Sequence, residues 1–445
     1  MKKNYLLGMA LMASLSFNSC DKEVVYVQDG TGVESVADGA QIITLQVENG
    51  GDGLATRAGR PLYSAEAKQT IENVKLWICD GAGNVIKYVK EISDWNTDDV
   101  STVYTTGGHG RQTTIELKDA DKLAAGTYKI YAVGYSNSSA YTLTDVTNVA
   151  KESTFNENMV LPCSTVGEEI FAGQMELTVE KGKGFKKPVV LNRQVAGAFA
   201  YVKDIPFMEG AKYLKLVASA QNQSLVLGNF NSFDLTGNGS GNANVKYVVN
   251  GTNGKSGSET YVISTIDLNK WFTAIKDDNG DNLIDAGENW KNPCRPSSSP
   301  AAGTYPTFQK GSAFGGEFVI PFAHVDGKQT LTLQLTNAGG KVLRSWKVNL
   351  GSTDEQLKQT ITCWNSGSTD WSTSLSGELA NTYSLVRNHL YGIGTRMNDE
   401  ANPEKPGVDP NPENPNDKPE SLNNKQELVL KVNDNWEVIH GMELD

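Results

Sequence analysis

The carboxy-terminal segment 427–445 constrains the fold of this chain most, because it reads as a β-strand that has no partner nearby. Apolar residues alternate with polar ones through most of it, at Leu428, Leu430, Val432, Trp436, Val438, Met442 and Leu444. Residues 397–426, just before it, contain six prolines among Asn, Asp, Glu and Lys, which is typical of an extended linker. Since a strand needs a paired edge and a covered apolar face, the pattern predicts delivery to another molecule.

A second alternating strand is predicted near the start of the chain, at Gln41 to Glu48 (QIITLQVE). Alternation of apolar and polar residues is typical of a strand with one buried face. The residues on that face are Ile43, Leu45 and Val47.

A flexible break follows this strand and contains a candidate cleavage site. Residues 49–58 are rich in glycine and end in Arg57 and Ala58, a basic bond of the kind that exposed loops offer to proteases. Arg60 is a poorer site because Pro61 follows it. Cleavage after Arg57 would remove the strand and leave unpaired backbone groups beside an apolar groove.

The two end segments together predict an exchange between copies. A carboxy-terminal strand from another copy would fill the groove by β-strand addition, with backbone hydrogen bonds for affinity and alternate side chains for register. A head-to-tail contact of this kind does not close, so it propagates as a filament.

The first twenty residues predict export. Two lysines precede an apolar stretch from Tyr5 to Leu15, which is too short for a membrane span. The residues before Cys20 resemble a lipobox, in which the cysteine is lipidated, although Phe17 replaces the usual leucine. The alternative is a plain secretory signal that is cleaved off.

Composition bounds the class of protein. A length of 445 residues allows two or three domains, and 44 glycines with many Thr, Ser and Asn fit an all-β chain rich in turns. A net charge of −12 without a basic stripe argues against nucleic acid as a partner. The cysteines beyond Cys20 show no metal-binding spacing, so two disulfides and four buried thiols both remain open: Cys79, Cys163, Cys294 and Cys363.

Strand-like runs recur between turns, and helical signals are few, with residues 65–72 and 271–276 the better short candidates. A weak repeat pairs Val74–Lys87 with Tyr213–Leu227, and each is preceded by an alternating segment, 41–48 in the first half and 189–202 in the second. The repeat predicts two β-sandwich domains. The predicted order is signal peptide 1–20, prosegment 21–57, domains 58–187 and 188–396, linker 397–426 and donor strand 427–445.

Several motifs in this order resemble those of the fimbrillins, the major subunits of type V pili on Gram-negative surfaces. The motifs are the lipobox at Cys20, Gly126-Thr-Tyr-Lys-Ile-Tyr-Ala-Val, Leu191-Asn-Arg-Gln-Val-Ala, and Val386-Arg-Asn-His-Leu-Tyr-Gly-Ile before the linker. The resemblance covers most of the chain. One departure is that Tyr391-Gly-Ile-Gly lacks the longer strand that usually follows.

The resemblance implies two transthyretin-like β domains and a palmitate-bearing lipoprotein at the outer membrane. It also implies prosegment removal by an Arg-specific protease and strand exchange with other copies and accessory pilins. On this chain the lipid site falls on Cys20, the processed bond on Arg57 and Ala58, and the donor segment on 427–445.

The sharpest chemical motif is an acidic loop, 277–288, that overlays the twelve-residue calcium loop of the EF-hand. Asn282 stands where that loop usually has glycine, which Asn tolerates because it visits the left-handed region. The loop predicts a structural Ca²⁺ site, and the alternative is an acidic surface turn that binds nothing. The predicted ligands are Asp277, Asn279, Asp281, the Leu283 carbonyl, Asp285 and Glu288.

No enzyme motif accompanies these features, so no catalytic residue is predicted. The four histidines lie in separate contexts, and there is no GxSxG, HExxH, P-loop or dinucleotide fingerprint. Two alternatives to a shaft subunit stay open. One is a surface lipoprotein that binds glycans through Trp290, Trp364 and Trp371, and the other is a pilus tip adhesin.

Overall fold

The structure is a computed structural model, and it describes residues 39–48, 71–104, 110–163, 168–228, 248–284, 287, 289–293, 308–322, 331–350, 360–376, 385–395, 418–423 and 427–433. At 48, 255–260, 350, 360–361, 372–376 and 431–433 it describes the backbone alone.

Strands are the dominant regular structure of the described chain and helices are few, which confirms the predicted all-β class. The strands of the first half are β1 (Gln41–Glu48), β2 (Asn73–Asp80), β3 (Ile86–Ile92), β4 (Thr102–Tyr104), β5 (Gly110–Leu117), β6 (Gly126–Tyr135), β7 (Val160–Pro162), β8 (Phe171–Val179) and β9 (Phe185–Arg193). Those of the second half are β10 (Ala196–Lys203), β11 (Ala211–Gln221), β12 (Ser224–Val226), β13 (Val248–Val249), β14 (Gly251–Thr252), β15 (Lys255–Asp267), β16 (Ala313–Val319), β17 (Leu331–Asn337), β18 (Val342–Leu350), β19 (Thr360–Asn365), β20 (Asp370–Ser376), β21 (Leu390–Ile393), β22 (Glu420–Ser421) and β23 (Glu427–Asn433).

Helices are short. The described residues contain a 3₁₀ turn at Asp119–Asp121 and two four-residue helices, α1 (Thr144–Thr147) and α2 (Leu268–Trp271). The Asp267 carboxylate caps α2 by accepting from the backbone N–H of Asn269. Helix α2 therefore ends where the predicted helix at 271–276 should begin, and most of the other candidate, 65–72, lies outside the described residues. In the described part of the chain, no helix has the length and apolar character needed to cross a membrane.

The first sheet has the order β3-β2-β6-β8-β9-β1-β5-β4 and folds into a sandwich. One half is β3-β2-β6-β8 and the other is β9-β1-β5-β4. Strands β8 and β9 join the halves through two register pairs, Phe171 with Arg193 and Ala172 with Asn192. Because the strands alternate, each half turns one apolar row inward. The shared core includes Ile43, Leu45, Val47, Leu76, Ile78, Ile115, Ile130, Leu177, Val189 and Leu191.

The second sheet runs β15-β11-β17-β18-β23-β21-β10-β16, with β22 paired to β10. Its order and strand directions match those of the first sheet. Six strands of the second sheet have a counterpart in the first: β11 matches β2, β17 matches β6, β18 matches β8, β21 matches β9, β10 matches β1 and β16 matches β5. In each sheet the strand at the position of β1 has one parallel and one antiparallel neighbour. Strand β23 has no counterpart in the first sheet, where nothing lies between β8 and β9; it is inserted between β18 and β21.

This match supports part of the predicted repeat and corrects the rest. Strands β1 and β10 correspond, as do β2 and β11, but β11 pairs with β15 and not with residues 224–227. The short strand β12 lies in a separate three-stranded sheet with β7 and β14. Local pattern did not show this, because the partner β15 follows a long insertion.

The changeover between sheets lies just after the predicted boundary at 187/188. That boundary falls inside β9, which continues to Arg193 because Val189 and Leu191 still face the first core. The second sheet begins with β10 at Ala196. The division into domains itself stays a prediction.

Candidate functional site: strand β1 and its groove

The predicted prosegment strand is an interior strand of the first sheet. Strand β1 pairs antiparallel with β5, from Gln41 opposite Leu117 to Glu48 opposite Gly110. On its other edge it pairs parallel with β9, from Gln41 opposite Phe185 to Val47 opposite Leu191. Removing β1 would therefore expose two backbone edges that face each other.

The apolar row of β1 is completely buried. Ile43, Leu45 and Val47 are all 0% exposed and pack in the core of the first sandwich. Burial of a side chain of this size stabilises a fold by about 1.5 to 3 kcal/mol. Loss of the strand would thus leave an apolar groove, lined among others by Ile115, Leu117, Phe185, Val189 and Leu191.

One polar side chain on the buried face of β1 fixes its position along the groove. Gln41 is 5% exposed. Its Nε2 donates to the Leu123 carbonyl at 2.9 Å, and its Oε1 accepts from the Leu123 backbone N–H at 2.7 Å. A shift of β1 by two residues would bury this amide without partners, at a cost of about 1 to 3 kcal/mol per group. Sequence reasoning missed this residue, although Gln41 is in phase with Ile43, Leu45 and Val47 and so marks a polar position on a buried face.

Two glycines let the backbone of β1 come close at its ends. Gly110 has φ +152°, and a Cβ there would lie 1.9 Å from the Val47 carbonyl oxygen. A Cβ on Gly184 would lie 2.2 Å from the Ala40 carbonyl oxygen. No larger residue fits at either place without moving β1.

The predicted lipid site, Cys20, and the predicted processing residues, Arg57 and Ala58, lie outside the described residues. The surroundings of other arginines bear on where a protease would cut. Arg111, Arg193 and Arg387 are at most 1% exposed and are therefore protected in the folded chain. Arg60 and Arg295 are each followed by proline, which makes both poor substrates. Arg57 is followed by Ala58, so no proline hinders cleavage of that bond.

The predicted donor segment divides into two parts. Strand β23 lies in the second sheet of its own chain, parallel to β18 and antiparallel to β21. Leu428 is 1% exposed and Leu430 is 0% exposed, and both pack in the second core. Val432 is described by its backbone, opposite Tyr391. The other predicted donor residues lie outside the described residues: Trp436, Val438, Met442 and Leu444.

The picture of a free tethered strand is therefore wrong for residues 427–433 of the isolated chain. Alternation shows that one face of a segment is buried, but it does not show which sheet buries it. The end of the predicted linker is also packed. Strand β22 pairs with β10, Lys418 bridges to Thr395, and Leu422 is fully buried. Delivery of the strand to another copy stays a prediction.

Two of the motifs that carry the fimbrillin resemblance meet where the two sheets join. The Arg387 guanidinium donates to Oε1 of Gln194 and to the carbonyl of Gly228, both at 3.0 Å. Asn250 donates to the Gln194 carbonyl at 3.1 Å, and the Asn388 N–H donates to the Val195 carbonyl at 2.9 Å. Burial lowers the pKa of Arg387 to about 9.

A buried ion pair lies beside this junction. Arg193 and Glu169 are both fully buried, and Nε of Arg193 donates to Oε1 of Glu169 at 2.6 Å. The guanidinium also lies over the Phe171 ring, 5.0 Å from its centroid. Burial lowers the pKa of Arg193, and the Glu169 carboxylate opposes that shift. Sequence reasoning quoted Arg193 only as part of a motif.

The first half of the acidic loop forms a tight turn. Oδ1 and Oδ2 of Asp277 accept from the backbone N–H groups of Gly280 and Asn282 at 2.8 and 2.9 Å. Asn282 has φ +64°, as the motif requires. Among the described residues no group of three His, Cys, Asp or Glu side chains is placed to hold a metal ion, and Asp285 and Glu288 lie outside them. The calcium site stays a prediction.

Calcium should raise the melting temperature of the protein if the loop binds it. For the affinity typical of extracellular modules, about 10 mM calcium would stabilise the folded state by about 1.5 to 3 kcal/mol. The measurement is thermal unfolding in calcium and in chelator, with Glu288→Gln as the matched variant that should lose the effect. Equal melting temperatures in both conditions would mean that 277–288 is an acidic turn.

The histidine and tryptophan side chains that a catalytic or glycan-binding function could use make contacts within the protein. His389 is buried, and its Nδ1 lies 2.9 Å from the Arg387 carbonyl. Trp371 donates its indole N–H to Asn158, and Trp290 donates to the Ser312 carbonyl. Trp364 and Trp371 pack edge to face with centroids 5.2 Å apart. Of the described cysteines, Cys79 and Cys363 are free thiols, and burial raises the pKa of Cys79 to about 12 and that of Cys363 to about 11.

Comparisons with known proteins give remote structural likenesses. No protein-family model and no curated protein matches the chain. The fimbrial anchor protein Mfa2 of Porphyromonas gingivalis is 11% identical with a TM-score of 0.32, over 78% of this chain and 99% of Mfa2. The tip fimbrial protein Mfa3 of the same organism, with a C-terminal truncation, is 10% identical with a TM-score of 0.36, over 81% and 96%. A fimbrial assembly protein of Parabacteroides distasonis is 12% identical with a TM-score of 0.32, over 77% and 100%. At these TM-scores the likeness carries no conclusion about this chain.

Proposed function

We propose that this chain is a structural subunit of a surface fimbria in a Gram-negative bacterium, exported as a lipoprotein and activated by proteolysis after Arg57. Removal of residues up to Arg57 takes β1 out of the first sheet. The carboxy-terminal segment of a second copy then fills the groove between β5 and β9. Repetition of this step builds a filament that supports adhesion.

One observation carries the proposal: the strand that cleavage would remove is an interior strand with a fully buried apolar row. Prosegments that only cover a surface leave a complete fold behind, whereas loss of β1 leaves two open edges and an apolar groove. Such a groove accepts an alternating strand through backbone hydrogen bonds. The chain has such a segment at its other end.

The test is limited proteolysis of the purified protein that begins at residue 21. An Arg-specific protease should produce a new amino terminus at Ala58, and the product should form ladders in SDS that collapse on heating. Cleavage at Arg57 without assembly would count against a shaft subunit. It would favour a pilus tip adhesin or a stand-alone glycan-binding lipoprotein.

Deletion of residues 427–445 should abolish assembly and leave a folded monomer. The second sheet keeps the strand order of the first sheet when β23 is absent, so the fold should survive. Its melting temperature should fall, because Leu428 and Leu430 leave the second core and large core truncations cost about 2 to 5 kcal/mol each. Size-exclusion chromatography and thermal unfolding after cleavage are the measurements. Ladders from the truncated protein would exclude this segment as the donor.

A further inference from the structure

Residues 426–433 repeat the pattern of β1. Gln41–Glu48 reads QIITLQVE and residues 426–433 read QELVLKVN. The first, fifth and seventh residues are identical, and the third is Ile43 in one and Leu428 in the other. These four positions are the ones that β1 turns toward the core, including Gln41 with its two hydrogen bonds to the Leu123 backbone. The residues after Asn433 have no such series of one polar and three aliphatic residues.

The fold does not require a strand at the position that β23 occupies in the second sheet. In the first sheet the equivalent neighbours, β8 and β9, pair directly with no strand between them. In the second sheet β23 separates β18 from β21. A sandwich of this strand order therefore forms without the inserted strand.

The outer face of β23 is more exposed in its own sheet than the matching face of β1 is in the first sheet. Val429 is 43% exposed in the second sheet, whereas Thr44, the matching residue of β1, is 1% exposed. Transfer to the groove would therefore cover an exposed apolar side chain. Glu427 lies 3.4 Å from Lys347 on β18. In the groove it would take the place of Ile42, which has Lys186 of β9 opposite it on one side and Glu116 of β5 on the other.

We propose that residues 426–433 of one copy leave their own second sheet and occupy the place of β1 in the next copy, with Gln426 at the position of Gln41. The inference rests on the proposed function and names the donor and its register. The Gln426 amide makes the two hydrogen bonds to Leu123 of the receiving copy. Leu428, Leu430 and Val432 fill the places of Ile43, Leu45 and Val47.

A reversible disulfide that holds β23 in its own sheet tests whether residues 426–433 are the donor. Val429 is the register partner of Asn349 on β18, so Asn349→Cys with Val429→Cys places a disulfide that holds β23 in its own sheet. After cleavage at Arg57 the oxidised protein should stay monomeric, and reduction should restore ladders to the wild-type level. Ladders from the locked protein would overturn the inference and leave strand exchange standing, with residues 434–445 as the donor. If the unsubstituted cleaved protein makes no ladders, the proposed function fails as well.

Cross-linking between two singly substituted proteins tests the register. In β1, Thr44 is opposite Thr114 of β5, so a copy with Val429→Cys should link to a copy with Thr114→Cys. Copies with Gln112→Cys or Glu116→Cys represent shifts by two residues and should not link. Mass spectrometry of the linked peptides separates these disulfides from any that native cysteines form. A link at a shifted position, or from Glu437→Cys to Thr114→Cys, would overturn the register or the segment while assembly persists.

A third variant tests Gln426 itself. Gln426→Ala should speed the loss of subunits from ladders about tenfold, because it leaves the Leu123 groups without partners. Lys425→Ala, one residue earlier, should leave that rate unchanged. An unchanged rate for Gln426→Ala would overturn the assignment of Gln426 to the position of Gln41.

Discussion

Substitution of Arg57 by alanine should stop assembly completely. Arg57 is the only arginine of the prosegment, so without it an Arg-specific protease has no bond to cut there, and β1 stays paired with β5 and β9. The variant should be exported, fold and melt like the uncleaved protein. Its amino terminus by Edman sequencing and its size distribution by chromatography are the measurements.

Arg60→Ala is the matched control for this prediction, because Arg60 lies three residues away and precedes Pro61. It should be cleaved after Arg57 and should assemble like the wild type. Ladders from Arg57→Ala with an intact prosegment would contradict the account, because they would mean that assembly does not need the groove of β1.

Substitution of Arg193 by alanine should destabilise the protein more than any other single change considered. The variant leaves the Glu169 carboxylate buried without its partner, and breaking a buried ion pair from one side costs about 3 to 5 kcal/mol. For domains of this size that loss lowers the melting temperature by about 6 to 20 °C. Thermal unfolding measured by circular dichroism checks it.

Two further variants show whether the loss of stability comes from leaving a buried charge without its partner. Lys87→Ala removes an ion pair with Glu152 that is exposed, and it should leave the melting temperature nearly unchanged. Replacing both partners, with Glu169→Leu and Arg193→Met, should recover much of the lost stability, because no uncompensated charge remains. If Arg193→Ala melts within a degree or two of the wild type, the pair does not hold the junction together.

The alternating sequence pattern predicted which residues form strands, but it did not predict which strands pair with each other. Alternation at Ile43, Leu45 and Val47 predicted both the strand β1 and its buried face, and the structure places all three in the core. Periodicity reports which face is buried and does not name the sheet. For that reason β23 was predicted as a tethered strand, whereas in the single chain it pairs with β18 and β21.

The sequence did not reveal the polar residues of the site, because their hydrogen-bond partners are far away along the chain. Gln41 binds the backbone of Leu123, 82 residues away, and Arg387 binds Gln194 from the other half of the chain. A glutamine in phase with three aliphatic residues marks a buried polar position, but its partner depends on tertiary structure. The calcium loop and the processing bond are sequence motifs that stay predictions.

Electron cryomicroscopy of fibres formed after cleavage shows which strand fills the groove of β1. We expect the space between β5 and β9 of each subunit to hold a strand from the carboxy-terminal segment of its neighbour, and residues up to Arg57 to be gone. A fibre in which residues 41–48 still occupy that space, or in which subunits meet through other surfaces, would contradict that expectation.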